Sequence, residues 1–110
     1  MRVSKFLVYE LSLELIHRIR PLVGPLRKSD PDLFRQLRRA ASSVPLNLAE
    51  GNRRSGKDRH YHFRVAAGSA DELRAALHVA SAWGDLAESS TRTALAIIDR
   101  ILGMIYGLTR

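Results

Sequence analysis

The sequence predicts an all-α protein, an antiparallel up-and-down four-helix bundle whose second helix is kinked at Pro45. Three observations lead there. Apolar residues recur at intervals of three and four in four separate stretches, the period of a helix with one buried face. The joining segments are short and carry glycine, proline or polar residues. The apolar–polar alternation of a half-buried strand is missing, as are internal repeats and low-complexity tracts. At 110 residues the chain reads as one domain, 1–110, able to bury roughly 65% of its unfolded surface.

The first helix is expected over about 4–20. Phe6, Tyr9, Leu13, Ile16 and Val23 form its stripe, widened by Leu7, Leu11 and Leu15, with Ser4 as N-cap. Pro21, Gly24 and Pro25 argue for an end near Arg20 and a linker to Ser29. The second helix, 31–53, opens with Asp30 as N-cap and Pro31 at its first position, with Asp32 complementing the helix dipole. Leu33, Leu37, Ala41, Val44 and Leu48 carry its stripe across Pro45. Pro45 cannot donate to the Ala41 carbonyl and its ring crowds that turn, which favours a bend.

The run from Gly51 to Gly56 is the most polar connection, with two glycines for a tight reversal. The third helix, 57–83, has the stripe His62, Ala66, Ser69, Leu73, Ala76, Ala80 and Trp83, broadened by Phe63, Ala67, Ala70 and Leu77. Its small-residue run Ala66 to Ala70 suggests that a neighbouring helix approaches closely at Gly68, since a helical glycine costs about 1 kcal/mol against alanine. The fourth helix, 91–108, is apolar on two adjoining faces. Leu95, Ile98, Leu102 and Ile105 form one, and Ile97, Ile101, Met104 and Leu108 the other. A peripheral helix needs only one, so the second face is expected to be an oligomer interface.

Charge narrows the function. The net charge is +7, and residues 1–64 alone hold 14 Lys or Arg against 6 Asp or Glu. Positive potential concentrated in one half of a chain suits an anionic partner, nucleic acid first; solubilising charge is the plain alternative. With no cysteine there are no disulfides and no thiolate ligands. The Met1 to Glu10 start is too short and too soon interrupted by acids for a signal peptide, and no apolar run reaches the 18 residues of a membrane span. A cytoplasmic protein with no membrane association is expected.

Candidate chemistry is sparse. His60 and His62 diverge on a helix, and His17 and His78 lack liganding neighbours, so no metal is expected. Neither a phosphate cradle nor a nucleophile with its base is recognisable. The chain is read as not an enzyme and as needing no cofactor. Asn47, Glu50 and Glu72 are read as a structural polar network between the second and third helices, with Glu50 also within one turn of Arg53 and Arg54. The binding candidates are Arg35, Arg38 and Arg39 on one turn, and Arg53, Arg54, Lys57, Arg59 and Arg64 around the next connection. Tyr61 is available there for base stacking. The two clusters occupy opposite ends of one helix and form separate patches in a monomer.

The run Gln36-Leu-Arg-Arg-Ala-Ala-Ser-Ser-Val-Pro-Leu-Asn-Leu-Ala-Glu-Gly51, then Ser55, then Val65-Ala-Ala-Gly-Ser-Ala-Asp-Glu-Leu73, resembles one family. It is that of the small four-helix bundle proteins encoded by intervening sequences in bacterial large-subunit (23S) ribosomal RNA genes. The resemblance implies a bundle assembling as a homopentameric ring. It also implies similarity to the accessory protein of diversity-generating retroelements, a basic pentameric barrel that binds nucleic acid and a reverse transcriptase. It assigns anionic contacts to Arg38, Arg39, Arg53 and Arg54, and architecture to Asn47, Glu50, Ser69 and Glu72. The chain departs from the pattern at Tyr9-Glu10-Leu11 and at His60-Tyr61-His62-Phe63, positions that bear on the partner. Two functions are expected: a non-catalytic, oligomeric accessory or assembly factor that binds RNA or DNA, or an oligomeric structural or protein-interaction module without nucleic-acid affinity.

Overall fold

A computed structural model describes residues 6–110; the expected Ser4 cap lies outside the described residues. The chain is all-helical, with α1 (Leu7–Val23), α2 (Leu26–Ser29), α3 (Pro31–Asn52), α4 (Gly56–Trp83) and α5 (Glu88–Thr109). No strand occurs among the described residues, and no helix there is long and apolar enough to cross a membrane.

Pro21 does not stop α1. The helix runs one residue short of Gly24, and the Gly24 N–H donates to the Arg20 carbonyl at 3.3 Å. The expected end at Arg20 gives way because Val23 is buried, and burying a valine contributes roughly 1.5 kcal/mol or more towards the cost of the proline. The expected linker is also partly helical. The single turn α2 buries Leu26 completely, and Asp30 then accepts the Leu33 N–H at 3.1 Å as the N-cap of α3. Pro45 lies inside an uninterrupted α3 with its ring buried. Gly56 (φ 60°) begins α4, and Gly84 (φ 85°) ends it in the left-handed conformation. There the Asp85 N–H donates to the Ala80 carbonyl at 2.9 Å, a glycine C-cap.

The four long helices close a circuit: α1 packs on α3, α3 on α4, α4 on α5 and α5 on α1. As α3 ascends, its partners on α4 descend, with Ser43 beside Ser69, Asn47 beside His62 and Asn52 beside Arg59. The α3 stripe Leu33, Leu37, Ala41, Val44 and Leu48 is buried throughout, as its spacing predicts. In α1 the buried line is instead Val8, Ser12, Leu15, Ile19 and Val23, while Phe6, Tyr9 and Ile16 flank it half-buried and Leu7 is exposed. Ser12 fits inside because its hydroxyl donates to the Tyr9 carbonyl at 2.7 Å.

Three further expectations change. Trp83 leaves the α4 stripe and is 75% exposed, because it is the last residue before the Gly84 turn. Gly68 faces open space, with nothing within 4 Å of where a Cβ would stand. The close approach occurs at Gly51, where a Cβ would lie 2.6 Å from Phe63 Cε1. In α5, Ile97, Ile98, Ile101 and Ile105 are all buried within the single chain. A helix flanked by both α1 and α4 uses a broad apolar face internally.

Candidate nucleic-acid interface

The basic residues divide between the two ends of α3. Fifteen residues from Arg38 to Arg53 correspond to about 22 Å of helix, so the patches are distinct. At the upper end Arg35, Arg38 and Arg39 are exposed, and Arg35 pairs with Asp32 one turn earlier. Arg38 also lines a cleft of about 240 Å³ together with Arg20 and Arg27, two cations that the sequence-based reading left out. No spacing rule connects these three; only the turn made by α2 brings them together.

The lower patch is built around Glu50. Arg53 donates from Nη2 to Glu50 Oε1 at 2.5 Å. Arg54 donates to Oε2 through Nε at 2.9 Å and Nη2 at 2.5 Å, and it lies 3.7 Å from Asp58. The Arg54 hydrogen bond holds the Glu50 carboxyl below its ordinary range; partial burial opposes this, and the charges of Arg53, Arg54 and His62 reinforce it. Glu50 therefore stays ionised and neutralises part of the charge on both arginines. Arg59 lies over the Phe63 ring at 5.0 Å and donates weakly to the Asn52 and Arg54 carbonyls, closing the α3–α4 turn. Lys57, Arg64 and the upper-patch residues Arg38 and Arg39 are exposed and take part in no ion pair among the described residues. Tyr61 is also exposed, its ring meeting His62 edge-on at 5.1 Å.

The polar network between α3 and α4 has a different membership from the expected one. Ser69 Oγ donates to Ser43 Oγ at 2.7 Å, Asn47 Nδ2 donates to the Ser43 carbonyl and hydroxyl at 3.0 Å, and Asn47 Oδ1 faces His62 Nδ1 at 3.1 Å. With the Asn47 amide hydrogens spent on Ser43, its oxygen accepts, so His62 Nδ1 carries the proton. Asn47 and Ser69 belong to the network; Glu50 turns to the arginines and Glu72 is exposed. Ser43 and His62 complete it. The spacing of Ser43 and Asn47 by one helical turn was the available signal for the first.

On α5, Ile97 and Ile101 are in the core, Met104 is half-buried and Leu108 is 38% exposed, so only the last two reach the surface. Among the described residues no three His, Asp or Glu side chains group as metal ligands. Residues 4–107 match the family described as 23S rRNA-intervening sequence protein, and no curated protein matches the chain.

Proposed function

The chain belongs to the 23S rRNA-intervening sequence protein family, and from that premise we propose that it is a non-catalytic, oligomeric accessory or assembly factor that contacts nucleic-acid phosphates through its exposed cations. In this reading the helices form an antiparallel up-and-down bundle bent at Pro45, and the bundles assemble as a cytoplasmic ring, a pentamer. A reverse transcriptase or another protein is its partner. The supporting observation is the set of exposed, unpaired cations Arg38, Arg39, Lys57 and Arg64, with Tyr61 beside the last two in sequence. Such groups pay little to exchange water for phosphate, whereas Arg53 and Arg54 must first leave Glu50. Lys57, Arg64, Arg38 and Arg39 therefore lead binding, and Arg53, Arg54, Arg59 and Arg35 shape the surface. Contacts of this kind position a phosphate backbone without reading its sequence.

Titrating the protein with short RNA and DNA duplexes and single strands over a range of salt tests this. If those four cations each neutralise one phosphate, log K falls against log salt with a slope of about −3.6 on duplex DNA and about −2.8 on single strands. Absence of binding at low salt by the assembled protein removes the nucleic-acid function. The second reading, an assembly or protein-interaction module without nucleic-acid affinity, is favoured by the internal neutralisation of Arg53 and Arg54 and by the exposed Trp83.

A further inference from the structure

The cleft between α1, α2 and α3 combines an apolar floor with a cationic rim. Ile16, Val23, Phe34 and Leu37 form much of the floor, and Arg20, Arg27 and Arg38 stand around it. Arg27 lies over the Phe34 ring at 5.1 Å, while Arg20 and Arg38 take part in no ion pair among the described residues. An apolar cavity of about 150 Å³ admits a benzene ring, so the cleft's volume of about 240 Å³ has room for a larger ring such as an indole. Its complement is therefore a single large apolar group flanked by more than one carboxylate, because three guanidiniums on separate elements surround one apolar hole.

The chain itself carries that group. Trp83 is the one tryptophan in the sequence and is 75% exposed, with Val79 exposed one turn before it on α4. Asp85 follows in the turn and Glu88 opens α5, both exposed and without an ion pair among the described residues. Leu86, buried between them in sequence, anchors the turn that presents them.

The two features also match in position. The cleft lies on α1, α2 and α3, whereas Trp83 ends α4 and precedes the turn into α5. The rise that carries α4 from Ser69 to Trp83 carries α3 back from Ser43 to the level of Ser29, beside the cleft. At equal height, Trp83 and the cleft do not meet within one chain. They suit a head-to-tail contact between copies standing side by side, which closes into a ring when the rotation allows.

We infer that the Trp83 turn of one copy docks in the arginine-rimmed cleft of a second copy. The indole enters the apolar floor, where guanidinium faces can stack on it, and Asp85 and Glu88 meet Arg20 and Arg27, which leaves Arg38 at the rim for phosphate. The inference rests on the self-association in the proposed function but not on nucleic-acid binding, so it is tested without nucleic acid.

Trp83→Ser keeps the cleft and removes the anchor; Ser42→Phe keeps the anchor and fills the cleft from its half-buried edge. Sedimentation across a concentration series is expected to show the wild type assembling, its tryptophan emission moving to shorter wavelength as it does so. Each variant alone should need at least tenfold higher concentration to assemble. A head-to-tail contact makes a further demand: mixed in equal amounts, the two variants still form one complete contact, so they give a heterodimer with blue-shifted emission. Arg27→Glu should weaken wild-type assembly, and Asp85→Arg added to it should restore part of the loss. Circular dichroism confirms that each variant remains helical, and the exposed Arg27 and Trp83 substitutions decide the matter if Ser42→Phe does not fold. A wild type that assembles undisturbed by Trp83→Ser overturns the docking while leaving the oligomer reading intact. A wild type that stays monomeric overturns both, and a mixture that remains two monomers overturns the head-to-tail contact.

Discussion

Gly51, in the last turn of α3, and Gly68, in the middle of α4, are both helical, yet the structure uses them oppositely. A methyl group at Gly51 would stand 2.6 Å and 2.7 Å from the Phe63 ring and 3.3 Å from the Arg59 carbonyl. Phe63 is fully buried and cannot swing aside freely. Gly51→Ala is expected to destabilise by about 1–3 kcal/mol through overpacking, whereas Gly68→Ala, in open space, should stabilise by up to about 1 kcal/mol. Urea unfolding of both variants checks the pair, and equal effects would contradict the packing at Gly51. Glycine at a helix crossing was legible in the sequence as a type of feature but not at its position. Small residues around Gly68 suggested contact there, while the decisive neighbour of Gly51 is an aromatic twelve positions later, across a turn. Glu50 gives a pH-dependent test. Its carboxyl is held low in the folded protein by the Arg54 hydrogen bond foremost. The folded state thus binds that proton less readily than the unfolded state, and the associated stability is present above the ordinary carboxylate range and lost as pH falls through the folded value. The stability difference between wild type and Glu50→Gln should shrink over that acid interval and stay level near neutrality, as unfolding measured at several pH values will show.

At the scale of an element, Pro21 is the clearest conflict between local preference and packing. Proline inside a helix costs up to about 3 kcal/mol relative to alanine, and its own side is exposed, so the ring gains no burial in return. The segment stays helical because Val23 and Leu26 on the same stretch are buried beneath it. Pro21→Ala should raise the unfolding free energy, by ~1 kcal/mol or more; a decrease would show that the proline sets the α1–α2 direction in a way that alanine cannot. The same comparison explains which elements were legible. Stripes with regular spacing and clear caps, as in α3 from Asp30 onward, carried their own evidence. The end of α1, the turn α2 and the surplus apolar face of α5 depended on what each packs against. For α5 that is α1 on one side and α4 on the other, joined at the surface by Arg74, which donates to Asp99 at 2.5 Å and to Asp71 at 2.7 Å. Being half-exposed, this bridge contributes at most about 1 kcal/mol, and the buried isoleucines hold the α5 contact.

Across the whole molecule, the separation of the two cationic patches determines how they can cooperate. About 22 Å of helix keeps them beyond the range at which neighbouring substitutions couple, and beyond the ~10 Å over which charges act at 0.1 M salt. In a single chain, Arg39→Glu at the upper patch, which leaves the lining of the cleft intact, and Lys57→Glu with Arg64→Glu at the lower should lower nucleic-acid affinity independently. Their free-energy effects should add within about 0.5 kcal/mol. Assembly alters this. Several copies turn each patch into a repeated site, so a strand held by one copy meets the next at high effective concentration. Loss of either patch then reduces affinity by far more than it does in the single chain. Comparing the wild type with Trp83→Ser in the same series separates the contribution of the patches from that of their repetition. The steeper loss should appear only in the assembling protein and fade as salt is raised. Equal losses in both would mean that the strand is held within one copy, leaving the net charge of +7 per chain to act through local contacts.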